Sequence, residues 1–320
     1  MNIDKRYYIN AKLFNKLREI NPDESIDIEV MEVKNKEIYT SLTITGIKNR
    51  IEITEFDRCI VDSIFTLYSL GLTEFSFQDL VRTLIISNVE KISQKQISSV
   101  RQSIDKLCNI KLTIDATGEM IQRKKILEDG KYVLNGLILP VESMKVKSAN
   151  NKYVDGYRLV GDSILFQYVE SVKQAICIEC KYISVDLRYS VENVILLNYF
   201  IRRIEQYKNN KNSLDSNRII FERYDKKTKT NKGMYYDLGY LGSDGIPTIK
   251  NWRDKKTKIN KTIIKIMDKF VENNYINSYV KLIGSNKIIR GYELIISNEK
   301  VQTPKVKSAD TQSKKHRQSS

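Results

Sequence analysis

Three helices with clear start signals, followed by two alternating segments, constrain the fold of this chain most strongly. Residues 54–70 carry apolar side chains at helical spacing, and Gly71 follows as a stop signal. Ser76 begins a second helix and Ser93 begins a third, each with a polar side chain three residues further on that can complete a capping box. Three short amphipathic helices in succession predict a compact helical unit.

The third helix is followed by Ile110–Asp115 and Tyr132–Leu139, which alternate and are predicted to pair as a β-hairpin. Three helices and a hairpin follow the winged-helix plan, in which the third helix can enter a major groove. An ordinary solvated helix face would give the same pattern. The candidate auxiliary DNA contacts on this helix and in the strand connection are Lys95, Arg101, Gln102, Arg123, Lys124 and Lys125.

The other helices and strands of residues 1–207 are predicted from shorter patterns. Residues 5–20 indicate a helix, and residues 26–33 and 38–53 indicate strands. Residues 157–185 indicate strand, short helix and strand. Residues 191–207 form a helix that is apolar on much of its circumference, which is typical of a helix buried between two halves.

The net charge of +15 is distributed unevenly. Residues 1–200 contain 27 basic and 27 acidic residues, whereas residues 201–320 contain 27 basic and 12 acidic residues. A cationic excess confined to one segment favours a polyanionic partner such as duplex DNA. A solubilising surface is the alternative explanation.

Residues 250–271 form the most informative segment of the basic half. One face of the predicted helix points to a core. That apolar stripe contains Trp252, Ile259, Ile263, Ile266 and Phe270. The far side and the first turns are basic, and the first turns of a recognition helix are the part that contacts bases. The candidate DNA contacts are Asn251, Arg253, Lys255, Lys256, Lys258, Lys261 and Lys265, and the alternative is an exposed lysine face.

Two alternating segments follow this helix, Tyr275–Leu282 and Lys287–Ile296, and predict a second hairpin. Lys281, Lys287 and Arg290 lie near its tip. A basic hairpin after a basic helix is typical of a wing on the sugar-phosphate backbone.

Several kinds of chemistry are excluded by residue usage. The only histidine is His316, so the fold contains no histidine-paired metal site and no Ser-His-Asp triad. Phosphate-binding glycine motifs are missing. Cys177 and Cys180 form a single CxxC pair, which we interpret as structural because a zinc ribbon needs two such pairs. We therefore expect no catalysis, no metal and no cofactor.

The sequence has no apolar run of the roughly 20 residues that span a bilayer, and its N-terminus has no apolar signal core. We therefore expect a cytoplasmic protein with no membrane contact.

The order of these elements resembles the plasmid replication initiators of the Rep_3 type. The resemblance rests on the helical block Ile53–Leu107 with its hairpin, the strand and long helix of Tyr182–Tyr207, and the final helix and wing of Trp252–Ile296. It implies an α+β protein with two winged-helix domains in tandem. The predicted division is residues 1–180, residues 181–296, and a disordered basic tail over residues 297–320.

This resemblance also implies a function. The first domain would mediate dimerisation, and the second would bind direct repeats, or iterons, at an origin. Monomers and dimers would be in equilibrium: monomers would open the origin and recruit host replication proteins such as the helicase, while dimers would repress.

Two other functions remain open from the sequence. A transcriptional or partition regulator would use the same fold and the same helix. A rolling-circle nicking and joining enzyme would need a tyrosine nucleophile and a metal held by carboxylates, and neighbours such as Tyr236 and Asp237 supply those residue types.

Overall fold

The computed structural model describes residues 3–9, 16–17, 23–33, 36–45, 53–86, 92–147, 151, 153–209, 217–226, 229–284 and 288–296. The fold is α+β, as predicted. Its helices are α1 (Glu55–Ser69), α2 (Phe77–Ile85), α3 (Gln94–Leu107), α4 (Thr117–Gln122), α5 (Ile164–Val172), α6 (Cys180–Ile183), α7 (Val191–Asn209), α8 (Met234–Asp237) and α9 (Trp252–Glu272).

The strands occur in both halves of the chain. They are β1 (Lys5–Ile9), β2 (Ser25–Val33), β3 (Lys36–Thr45), β4 (Glu74–Ser76), β5 (Lys111–Asp115), β6 (Val133–Leu137), β7 (Val141–Lys147), β8 (Tyr153–Leu159), β9 (Ala175–Glu179), β10 (Arg218–Ile220), β11 (Arg223–Asp225), β12 (Thr230–Lys232), β13 (Ser278–Ile283) and β14 (Ile289–Ile295).

The helix starts in the first half are confirmed. Thr54, Ser76 and Ser93 are the N-cap residues of α1, α2 and α3, and each forms a complete capping box. Gly71 has a φ of +79°, which suits a residue just past a helix end. Local side-chain chemistry therefore determines where these helices begin and end.

Two predicted elements are wrong. Residues 5–9 form strand β1, which pairs antiparallel with β9, and not the start of a helix. The predicted strand over residues 175–185 ends at Glu179, and Cys180 begins the short helix α6. The remaining parts of the predicted N-terminal helix, residues 10–15 and 18–20, lie outside the described residues.

The first wing also differs from the prediction. Strands β5 and β6 do pair, but they extend a sheet with the order β2-β3-β5-β6. The hairpin that pairs with the short strand β4 before the second helix is β7 and β8, in the order β4-β8-β7. The sequence prediction chose the nearer of two alternating strand pairs.

The same unit occurs twice in the chain. In the first half, helix α1, strand β4, helices α2 and α3, and the hairpin β7–β8 occur in this order, with β5, α4 and β6 between α3 and β7. In the second half, α7, β10, α8, α9 and the hairpin β13–β14 follow in the same order, and their sheet has the order β10-β14-β13. In both units the first strand pairs with the last, as the helices pack over a small sheet.

A glycine and an aromatic pair occupy equivalent places in the two sheets. A Cβ on Gly156 would lie 2.4 Å from the carbonyl oxygen of Phe75, and a Cβ on Gly291 would lie 2.2 Å from that of Ile219. Both glycines therefore permit the close approach of the first strand to the last.

The residue after each glycine is a tyrosine with the same ring contact. Tyr157 meets Phe77 edge to face, with ring centroids 5.4 Å apart, and Tyr292 meets Phe221 in the same way at 5.5 Å. Phe77 and Phe221 each come one residue after the partner of the glycine in the first strand. The repeat therefore extends to the packing of individual side chains.

The repeat has a signal in the sequence that the predictions above do not use. Residues 151–159 and 286–294 share the pattern Asn-Lys-x-x-x-Gly-Tyr-x-Leu. The spacing is identical in the two segments, and the Gly-Tyr-x-Leu part lies in the last strand of each unit.

Buried apolar side chains form two clusters, one in each half, and α7 contributes to both. Val194 packs in the first cluster, whereas Phe200 and Ile204 pack in the second. Strand β1 also joins the clusters, since Ile9 belongs to the first and Tyr8 to the second. The domain boundary at residue 180 stays a prediction.

A buried ion network lies between α1 and α7. The Arg202 guanidinium is 2.6 Å from Glu55 and 3.1 Å from Asp62, and all three side chains are less than a tenth exposed. Burial alone would lower the pKa of Arg202, but attraction to the two carboxylates raises it above its ordinary value. The two halves are thus linked by charge as well as by apolar packing.

Within the described residues, no helix combines the length and the apolar character needed to cross a bilayer.

Candidate nucleic-acid interface

Helix α9 takes the position of the third helix in the second unit. Its predicted apolar stripe is confirmed, with Ile259, Ile263, Ile266 and Phe270 buried in the second cluster. Trp252 packs against the same cluster and meets Tyr235 edge to face, with centroids 4.9 Å apart. Because the stripe faces inward, the opposite face of the helix is presented to solvent.

Three of the predicted DNA contacts on α9 have partners within the protein. Lys255 is 2.6 Å from Glu192, and Lys256 is 2.6 Å from Glu222. Lys265 donates a hydrogen bond to the carbonyl oxygen of Asp186. Cations in the first turns oppose the helix dipole. The carboxylates beside Lys255 and Lys256 offset that repulsion.

Three other predicted contacts remain open to a ligand. Arg253, Lys258 and Lys261 are exposed and form no ion pair within the part of the chain that the structure describes. Lys261 lies opposite the apolar stripe, and Arg253 and Lys258 lie on the two flanks of that exposed face, over the first three turns of α9. This group, Arg253, Lys258 and Lys261, is called the α9 cationic face below.

The start of α9 has an unusual backbone. Asn251 is the N-cap residue, has a φ of +56°, and is exposed, and its side chain makes no capping hydrogen bond. Asparagine tolerates this left-handed conformation better than most residues. The Asn251 amide is therefore available to an external partner. The Asn260 oxygen instead accepts a hydrogen bond of 2.8 Å from the Tyr235 hydroxyl.

The hairpin β13–β14, which is the predicted second wing, carries further cations. Lys281 on β13 and Arg290 on β14 are exposed and have no ion-pair partner among the described residues. Lys287 lies outside the described residues. The pattern of a basic helix followed by a basic hairpin is confirmed as far as the described chain extends.

The predicted auxiliary contacts in the first unit divide in a similar way. Lys106 pairs with the buried Asp57, and Arg123 is 2.8 Å from the buried Glu119, so both are used inside the fold. Arg101 lies over the Phe77 ring and 3.9 Å from Asp155.

The other auxiliary candidates of the first unit are open to solvent. Lys95 and Gln102 are exposed on α3, and Lys124 and Lys125 are exposed in the loop after α4. Helix α3 therefore presents one unpaired lysine where α9 presents three unpaired cations.

Charges on the first wing are mostly paired. Lys145 pairs with Asp155, and Arg158 lies 2.8 Å from Glu74 and 3.8 Å from Glu142. Lys147 on β7 is exposed and has no ion-pair partner among the described residues, whereas the corresponding hairpin of the second unit has two such cations, Lys281 and Arg290. Equivalent surfaces of one repeated unit thus differ in how many cations are left for a ligand.

The cysteines and the tyrosine–carboxylate pair are not assembled into a reactive site in the described chain. All four cysteines are free thiols, and burial raises the pKa of Cys180 to about 11. Asp237 accepts a hydrogen bond of 2.8 Å from Tyr199, whereas its neighbour Tyr236 is exposed. Among the described residues, no group of three metal-ligating side chains is close enough to hold an ion.

Comparisons with known proteins leave the family open. No protein-family model matches the chain, and no curated protein matches it. Among solved structures, the chain is similar to a crystal structure of domains 2 and 3 of RctB at 13% identity and a TM-score of 0.39, over 86% of this chain and 92% of that one.

A second crystal structure of RctB domains 2–3 matches at 14% identity and a TM-score of 0.35, over 78% of this chain and 81% of that one. Both TM-scores lie below 0.5, so the likeness carries no weight for fold or function.

Proposed function

We propose that the protein binds duplex DNA through the α9 cationic face and the second wing, and that it initiates plasmid replication by binding repeats at an origin. The observation that carries this proposal is the contrast between the two repeated units. The same helix and hairpin occur in both, but among the described residues only the second has three unpaired cations on its third helix, and its hairpin has two unpaired cations where the first has one, Lys147.

The arrangement suits both parts of DNA recognition. A helix standing out from a small sheet fits the width of a major groove, and the first turns then approach the base edges. Arg253 and Asn251 lie at that end of α9. Lys258 and Lys261 lie further along, where they would meet phosphates and set the position of the helix.

In this proposal the protein is not an enzyme. It would act through its DNA site and through recruited host replication proteins such as the helicase, with monomers and dimers in equilibrium. A transcriptional or partition regulator would use the same surface. The DNA site separates the two roles, since direct repeats favour an initiator and inverted repeats at a promoter favour a regulator.

The α9 cationic face is tested by removing three charges at once. The triple variant Arg253→Gln, Lys258→Gln and Lys261→Gln should lower the slope of log Kobs against log salt by about 2 to 3, since each phosphate contact contributes about 0.9. Fluorescence anisotropy with a labelled duplex at several salt concentrations measures this slope.

A matched control removes the same charge elsewhere. Lys36, Lys111 and Lys131 are exposed in the first half, and their triple change to Gln lowers the net charge equally. The control should keep nearly the original slope. Equal losses in both variants would mean that net charge alone drives binding, and the proposed interface would be wrong.

A further inference from the structure

The two repeated units differ in the connection between the first strand and the second helix. In the first unit, β4 ends at Ser76 and α2 begins at Phe77 without any connection between them. In the second unit, β10 ends at Ile220 and α8 begins at Met234, and the hairpin β11–β12 lies between them. The first unit forms its sheet without such a hairpin.

The base of the hairpin is fixed beside the start of α9. Glu222, the residue before β11, is 2.6 Å from Lys256 in the first turns of α9. On the other side, the Asn231 backbone N–H donates to the carbonyl oxygen of Ser243 at 2.8 Å. These contacts orient the hairpin relative to the end of α9 that would approach the bases.

A glycine brings the chain back tightly after the hairpin. Gly233 has a φ of +108°, and a Cβ there would lie 2.9 Å from the carbonyl oxygen of Ile220. The two ends of the insertion therefore meet at the end of β10. With about 3.3 Å per residue, its three-residue strands make a short arm of about 10 Å.

The arm carries cations that the fold does not use. Arg223, Lys226 and Lys229 are exposed and have no ion-pair partner among the described residues, whereas Lys232 is paired with Asp225 at 2.6 Å. Tyr224, between the first two of these cations, is 58% exposed. Such a side chain gains nothing from packing and offers a hydroxyl to an external acceptor.

We infer that the hairpin β11–β12 is a second DNA-contacting arm, which binds the sugar-phosphate backbone beside the segment that α9 contacts. Arg223, Lys226 and Lys229 would bind phosphate oxygens, and the Tyr224 hydroxyl would donate to another. This inference rests on the proposed function, because the arm is placed by its position next to α9. It adds a contact that the first unit lacks.

The test uses the full chain and a mixed-sequence duplex of about 40 base pairs, long enough to extend past one recognition helix. The hairpin variant is Arg223→Gln, Lys226→Gln and Lys229→Gln. Its salt slope should fall by about 2 to 3 relative to the Lys36, Lys111 and Lys131 control, and its affinity at low salt should fall on the order of tenfold or more. Circular dichroism and thermal unfolding should stay unchanged, because the altered side chains are exposed.

The outcomes separate this inference from the proposed function. If the hairpin variant keeps the salt slope of the control while the α9 variant has a smaller slope, the hairpin does not contact DNA and the α9 interface still stands. If the α9 variant keeps the salt slope of the control while the hairpin variant has a smaller slope, the α9 interface is contradicted and phosphate binding by the hairpin is supported.

A second comparison tests whether the hairpin contacts duplex DNA or single-stranded DNA. The hairpin variant and Tyr224→Ala are measured on the duplex and on a single strand of the same length. If the hairpin variant has a lower affinity for the duplex, the proposed contact with the sugar-phosphate backbone is supported. If both variants lose affinity only for the single strand, the arm stacks on unpaired bases and the duplex contact is wrong.

Discussion

At the scale of single residues, the structure separates cations that the fold uses from cations that it leaves free. Lys255 and Lys256 have carboxylate partners more than thirty residues away in the sequence, so no local pattern could have identified them. The α9 stripe and the exposure of Lys258 and Lys261 were predictable, because helical spacing alone decides which face is buried. Which individual charges form ion pairs was not predictable from the sequence.

Arg202 gives the clearest prediction about stability at the residue scale. Arg202→Met removes the cation that is hydrogen-bonded to the buried Glu55 and Asp62, and we expect a loss of about 3–5 kcal/mol in the free energy of unfolding. Urea denaturation followed by circular dichroism measures the change. Adding Glu55→Gln and Asp62→Asn to the same variant should restore part of the loss, since the two buried carboxylates are then neutral.

The exposed Arg253→Gln serves as the control for that experiment and should change the free energy of unfolding by no more than about 0.5 kcal/mol. A loss below about 1 kcal/mol for Arg202→Met would contradict the buried network as a link between the halves.

At the scale of elements, local signals were predicted well and long-range pairings were not. Ser76 and Ser93 were identified as helix starts because a capping box depends on residues three apart. Strand β1 was missed because its partner β9 is about 170 residues away, and its short alternation also fits a helix. The first wing was assigned to β5 and β6 because pairing with β4 cannot be seen in either alternating segment.

The glycines of the two small sheets lead to a prediction for this scale. Gly291→Ala should destabilise the protein by about 1–3 kcal/mol, because the added Cβ would overlap the Ile219 carbonyl and force β10 away from β14. Gly156→Ala should have a comparable effect in the first unit. Thermal unfolding monitored by calorimetry measures both.

Gly161 provides the matched control, since a Cβ there would meet nothing within 4 Å. Gly161→Ala should leave the stability nearly unchanged. If Gly291→Ala behaved like this control, the close approach of the first and last strands would not be a requirement of the unit.

At the scale of the whole molecule, one unit is used twice and its two copies differ in charge. Among the described residues, the first copy leaves one cation without an ion pair or side-chain hydrogen bond on its third helix and one on its wing, whereas the second leaves three on its third helix, two on its wing and three on its inserted hairpin. The uneven charge along the sequence indicated this difference, but the repeat was needed to assign it to equivalent surfaces. Helix α7 and strand β1 join the copies, so experiments on binding require the full chain.

The most direct measurement is binding of the full chain to labelled fragments of the DNA around its own gene, in competition with random duplex at two salt concentrations. The account predicts that one repeat-bearing fragment binds roughly a thousandfold more tightly than random duplex, with a steep salt slope that the α9 variant reduces. Equal and weak binding to every duplex would contradict sequence-specific recognition by α9.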